Sequence, residues 1–133
     1  MLSLCRCGAP TGRFHVILAS NLLCRLPDPR KFIHDLPQLL APGGVVVLIS
    51  PHSWLEEYTP RDKWIGGGSS LSASGEPLDT FTVLQAEMQK LAEDPDRPAV
   101  LKLLHSEDVP FLIREHGRKF QYGVSHCTVW RLE

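Results

Sequence analysis

The chain has almost no net charge: 14 Lys and Arg stand against 15 Asp and Glu. No Lys/Arg cluster forms a stripe, so the attraction that nucleic acid or an anionic membrane surface needs is missing. No apolar run approaches the roughly 20 residues that cross a bilayer, and residues 1–13 lack the long apolar stretch of a signal peptide. These absences predict a cytoplasmic protein whose partners are small, polar or zwitterionic molecules, with no nucleic acid and no membrane among them. The four cysteines, Cys5, Cys7, Cys24 and Cys127, lack the doubled short spacings of a metal site and read as free thiols. Six histidines are equally dispersed, with no His-x-x-x-His pattern, and no metal is assigned. There is no internal repeat, and no change of composition divides the 133 residues, of which an ordinary 43% are hydrophobic. One core is expected.

What is present alternates between strand and helix signals. Residues 1–13 mix Cys, Gly, Pro and Arg without period and read as an irregular leader. Phe14 to Ala19 is a short apolar run suited to a buried strand. Asp28 followed by Pro29 is an N-cap with proline at the first helical position. Phe32, Ile33, Leu36, Leu39 and Leu40 then share one helix face, with Pro37 expected to kink it. Ala41-Pro42-Gly43-Gly44 is a stop, and Val45 to Ile49 has the continuous β-branched character of a strand covered on both faces. Strand, helix and strand form a βαβ unit. Gly66 to Gly75 reads as a flexible, mobile surface insertion. Asp79 caps a second helix carrying Phe81, Leu84, Met88 and Leu91. Val100 to Leu104 and Val124 to Trp130 read as strands, and Val109 to Phe120 fits either helix or extended chain. The alternation predicts an α/β sheet.

In an open α/β sheet, ligands bind beyond the carboxyl ends of the strands. That rule selects Ser20 to Arg25 and Ser50 to Tyr58, which a βαβ unit puts on one edge, facing one pocket. The first segment offers Asn21 and Arg25, although a turn-forming Asn and a surface Arg would look the same. The second crowds His52, Trp54, Glu56, Glu57 and Tyr58 into a few residues. The two rings fit loop packing equally well, and the two carboxylates also fit a solvated acidic pair. Arg114 and Lys119 in the basic stretch from Ile113 to Lys119 offer a cation to a carboxylate. His126 reads as a structural histidine.

The same segments carry a family resemblance. A strand running into Ala19-Ser20-Asn21-Leu22-Leu23-x-Arg25-Leu26, then Leu40-Ala41-Pro42-Gly43-Gly44-Val45 into a second strand, resembles the fourth and fifth strands of class I methyltransferases. Ser50-Pro51-x-Ser53-Trp54-Leu55-Glu56-Glu57-Tyr58-Thr59-Pro60-Arg61-x-x-Trp64-x-Gly66-Gly67 narrows the match. So do Pro110-Phe111-Leu112-Ile113-Arg114-Glu115-x-x-Arg118-Lys119-x-Gln121 and the ending Thr128-Val129-Trp130. Together they resemble the C-terminal methyltransferase domain of ovothiol synthases, over roughly Phe14 to Arg131.

The resemblance implies that residues 14–133 are part of a methyltransferase domain, the C-terminal half of a Rossmann-like sheet holding strands four to seven. It implies S-adenosylmethionine as cofactor and an imidazole nitrogen of 5-thiohistidine, a small-molecule substrate, as methyl acceptor. Full-length relatives also carry an upstream iron-dependent sulfoxide synthase region. On this reading Ser20, Asn21 and Arg25 contact the cofactor or acceptor, and Trp54 and Tyr58 wall the substrate pocket. Arg114 grips the amino-acid carboxylate, and Glu56, Glu57 or His52 takes or holds the imidazole proton. His52 departs from the Tyr of many relatives. The family's glycine-rich loop and its ribose-binding acid precede the part represented here. Gly43-Gly44 does not replace that loop, since it opens a strand and offers no helix N-terminus. A truncated, non-catalytic remnant and a methyltransferase for another small molecule are the rival readings.

Overall fold

A computed structural model describes residues 13–133; the expected leader lies almost entirely outside these residues. The elements follow in the order β1 (Phe14–Ser20), α1 (Pro29–Leu39), β2 (Leu40–Ser50), α2 (Thr80–Lys90), β3 (Leu101–His116) and β4 (Lys119–Leu132). They form one four-stranded sheet ordered β1-β2-β4-β3. β1 and β2 are parallel, as the βαβ reading requires, and β4 runs antiparallel to both of its neighbours.

Local chemistry accounts for both helices. The Asp28 carboxylate accepts a hydrogen bond from the Lys31 N–H at 3.1 Å, with Pro29 at the first helical position. Asp79 caps α2 in the same way, accepting from the Thr82 N–H at 2.8 Å. α1 continues through Pro37 and ends two residues later. The expected stop at Ala41 to Gly44 is instead the irregular start of β2, which pairs from Leu40 onward. Gly43 has φ +75°, and a Cβ on Gly44 would stand 2.9 Å from the Phe14 carbonyl oxygen, so the strands can approach there only with glycine.

The two faces of the sheet differ. Ala19, Val46, Leu48 and Trp130 pack with Ile33 and Leu36 of α1 and with Leu84 and Met88 of α2 in one core cluster. Both helices therefore cover the same face. Residues of opposite parity occupy the other face. There Val16 is 66% and Leu18 64% exposed, while Val45, Val47 and Ile49 are half-buried. Among the described residues β2 is thus covered on one face by helices and only partly on the other, where both faces were expected to be covered. A buried acid ties the helices together: Glu87 of α2 accepts from Arg30 Nε at 3.2 Å and lies 3.3 Å from His34 Nε2, both on α1. It also accepts from Lys90 Nζ at 2.8 Å.

The insertion at Gly66 to Gly75 lies mostly on the surface, as expected, and is folded into hydrogen-bonded turns. Leu71 bridges Pro77, the Ser72 N–H donates to Glu76 O at 2.8 Å, and the Leu78 N–H donates to Ser70 O at 2.9 Å. Two of its four glycines, Gly66 and Gly67, serve close packing, while Gly68 and Gly75 have open space around them. A Cβ on Gly66 would stand 2.7 Å from the Thr80 backbone, and one on Gly67 would stand 2.7 Å from the Trp54 ring. No helix is long and apolar enough to cross a membrane among the described residues.

Candidate functional site at the strand ends

Because β1 and β2 are parallel, their carboxyl ends deliver Ser20 and Ser50 to the same edge. Asn21 turns the chain away from β1 with φ +52°, a left-handed conformation that Asn tolerates, while its N–H still donates to Ile49 O at 2.7 Å. A single 3₁₀ turn, Leu23–Arg25, buries Leu23 and Cys24 and leaves Arg25 half-buried. Arg25 Nη1 donates to Ser53 O at 3.1 Å, and the guanidinium lies 4.8 Å from the centre of the Tyr58 ring. This arginine therefore joins the two loops that follow the parallel strands.

A third wall comes from the other end of the chain. β4 pairs with β2 only over His126 to Arg131, so residues 119–125 and their β3 partners extend past the sheet edge as a two-stranded ribbon. A cavity of about 620 Å³ lies between this ribbon and the loops. Asn21, Cys24 and Arg25 line it from the first loop, and Pro51, Ser53 and Leu55 from the second. The ribbon contributes Phe111, Ile113, Gln121 and Gly123 among others. A Cβ on Gly123 would stand 2.4 Å from Phe111 Cζ. The phenyl ring thus lies directly on bare backbone and gives the cavity an aromatic floor.

The expected site residues divide. Asn21 and Arg25 meet at the cavity, and Ser20 ends β1 beside them. Tyr58 stacks on Arg25 and is 42% exposed. Trp54 turns inward instead: it is 8% exposed, belongs to the core cluster, and its Nε1 donates to Thr80 Oγ1 at 3.1 Å at the start of α2. His52 has φ +54°, and its ring meets His126 edge-on at 5.4 Å; His126 in turn contacts Phe81 of α2 at 4.7 Å. Burial, and then the neighbouring His126, hold the His52 imidazole below its ordinary pKa, so its neutral form is favoured. Glu56 and Glu57 are exposed and outside the cavity lining. Arg114 is also outside that lining, with its guanidinium 5.9 Å from the centre of the Phe120 ring.

Sequence reasoning missed the ribbon residues. β3 is one strand of 16 residues, where a short strand followed by an ambiguous stretch was expected. Glu107, Asp108 and Pro110 argue locally against a strand, but β3 is an edge, where proline is tolerated. The signal available was Gly123 inside a strand pattern, which marks a bulge or a close approach.

The cavity offers the amides of Asn21 and Gln121 and one guanidinium but no carboxylate, since none of its described lining residues is Asp or Glu. S-adenosylmethionine carries a sulfonium, a ribose diol and an amino-acid end, and the diol and sulfonium call for acidic or carbonyl partners. Of the five positive-φ glycines among the described residues, Gly66 and Gly67 are packed against Thr80 and Trp54, Gly68 and Gly75 belong to the same insertion, Gly43 sits at the opposite end of β2, and none lines the cavity. The described cavity therefore lacks, among its lining residues, the acidic partner that the cofactor's ribose diol calls for.

A parallel βαβ core with a cavity at the strand ends defines a Rossmann-like α/β fold. The methyltransferase domain family model matches residues 6–101. The chain belongs to that family, within the class I methyltransferases, whose members typically use S-adenosylmethionine. No curated protein matches the chain. The ribbon wall of the cavity lies beyond the matched residues.

Proposed function

We propose that this chain takes part in S-adenosylmethionine-dependent methylation of an imidazole nitrogen of 5-thiohistidine, a step of ovothiol biosynthesis. The observation that carries the reading is the convergence of the Asn21–Arg25 and Pro51–Leu55 loops on one cavity, in a chain of the methyltransferase family. The acceptor identity is supported by the resemblance of the block from Ser50 to Gly67. The protein's share is to orient the acceptor and exclude water. Asn21 and Arg25 hold its polar end, Leu55, Phe111 and Ile113 enclose its ring, and Tyr58 keeps Arg25 in place. Groups outside the described cavity hold the ribose and amino-acid ends of the cofactor.

Incubating the purified chain with methyl-¹³C S-adenosylmethionine and 5-thiohistidine tests the reading. The expected product is ¹³C-methylated on a ring nitrogen, seen by carbon-detected NMR and by mass. A labelled product from another acceptor but none from 5-thiohistidine would overturn the acceptor assignment.

The missing carboxylate in the cavity favours a second reading, a binding module without transferase activity. Turnover separates the two: a methylated product from any acceptor contradicts the second reading, and calorimetric binding of S-adenosylmethionine or 5-thiohistidine without any methylated product supports it.

A further inference from the structure

We infer that the cavity selects a planar ring bearing a carboxylate, and that the ribbon supplies this selectivity through Phe111, Gln121 and Gly123. The inference rests on reading this cavity as the acceptor site. Three features of the lining converge on it. First, charge: among the described residues of the lining Arg25 is the only Lys, Arg, Asp or Glu, so no described acid stands there to neutralise it or to attract an ammonium. Its hydrogen bonds to Cys24 O and Ser53 O both leave from Nη1, at 3.1 Å each. The rest of the guanidinium remains to meet an anion, and such charge-assisted bonds are the stronger kind. Second, shape: the Phe111 ring rests where a side chain on Gly123 would be, so the floor is flat and aromatic, a surface on which another planar ring stacks offset. Third, a neutral partner: the Gln121 amide lies two residues from Gly123 on the same face of β4 and opposite Ile113, placing a donor and an acceptor beside the floor.

Gly123 is a positioning residue here, because any larger side chain displaces the Phe111 ring. Phe111, Gln121 and Gly123 also lie outside residues 6–101, the part that matches the methyltransferase family. Selectivity is thus built on a segment separate from the family's common part.

Three probes of similar size isolate charge from shape: phenylacetate, phenethylammonium and cyclohexylacetate. Each is titrated into the ¹⁵N-labelled full chain at pH 7.5 and constant ionic strength, without cofactor, while amide shifts are followed. Phenylacetate is expected to shift Asn21, Ser53, Gln121 and Gly123 and to bind about tenfold tighter than phenethylammonium, from one charge-assisted hydrogen bond. It should bind about threefold tighter than cyclohexylacetate, from stacking. Gly123→Ala is expected to retain a dispersed spectrum and lose the preference for the planar acid. If that variant does not fold, Gln121→Leu, expected to weaken phenylacetate with little effect on phenethylammonium, takes its place. Equal or tighter binding of phenethylammonium, or shifts confined to the Met88–Trp130 side of α2, would overturn the inference. None of the probes is 5-thiohistidine, so methyl transfer and anion selectivity fail independently of each other.

Discussion

Within one short stretch, alternate residues serve different parts of the molecule. Pro51, Ser53 and Leu55 line the cavity at the strand ends, whereas His52 and Trp54 turn towards α2. The backbone explains the division. His52 takes a left-handed conformation two residues after the end of β2, its N–H donating to Ser50 Oγ at 3.2 Å, and in the extended chain beyond it neighbouring side chains leave on opposite sides. Chemical richness in sequence is therefore not one site. The inward side holds the loop to the core, and the outward side meets the ligand. Each side predicts its own response to substitution.

The largest expected effect is on the inward side. Trp54→Ala removes a ring that is 8% exposed, covered by Gly67 and hydrogen-bonded to Thr80, and should cost about 3–5 kcal/mol of unfolding free energy in a denaturant titration. A loss under 1 kcal/mol would break the comparison at its strongest point. Thr80→Val keeps the shape but strands the buried indole N–H; a cost of about 1–3 kcal/mol is expected by the same titration. His52 responds through pH. Its folded-state pKa is lowered, so between that value and its ordinary value near 6.5 the unfolded chain binds more protons. Its contribution to stability is complete above pH 6.5 and is lost as pH falls below it. His52→Asn, which tolerates the positive φ, should flatten the thermal stability profile just below pH 6.5; an unchanged slope would remove His52 as its source. The smallest effect on stability belongs to the outward side. Leu55 is 46% exposed, and Leu55→Ala should stay within about 0.5 kcal/mol of the parent while weakening phenylacetate binding to the cavity.

The same contrast marks what could be read without coordinates. Both helix starts were legible because a cap is a local device: Asp28 and Asp79 bond to amides three residues on. β1 and β2 were legible from their apolar runs, and their parallel pairing brought Asn21 and Arg25 to the expected edge. The long β3 was not, because Glu107, Asp108 and Pro110 oppose a strand locally and only pairing with a segment up to about 30 residues later overrides them. The glycines of Gly66 to Gly75 suggested looseness, yet Gly66 and Gly67 are there for close contact with Thr80 and Trp54, which no local pattern reveals. The bare side of the sheet, with Val16 and Leu18 exposed, was also illegible. An apolar run in β1 looks the same whether one face is covered or two.

For the candidate site, residue types were legible and their directions were not. Glu56 and Glu57 carry the right chemistry for proton transfer and are exposed outside the cavity. Arg114 carries the right charge for a carboxylate, yet the structure puts Arg25 in the cavity and Arg114 over Phe120. In an extended chain neighbouring residues point to opposite faces. A cluster of functional groups therefore identifies a site only once the register of its segment is known.

Titration of the ¹⁵N-labelled chain with 5-thiohistidine tests the central assignment most directly. The account predicts shifts at the amides of Asn21, Ser53, Leu55, Gln121 and Gly123 while the indole N–H of Trp54 stays still. Movement of the Trp54 indole with the Asn21 and Gln121 amides unmoved would contradict it.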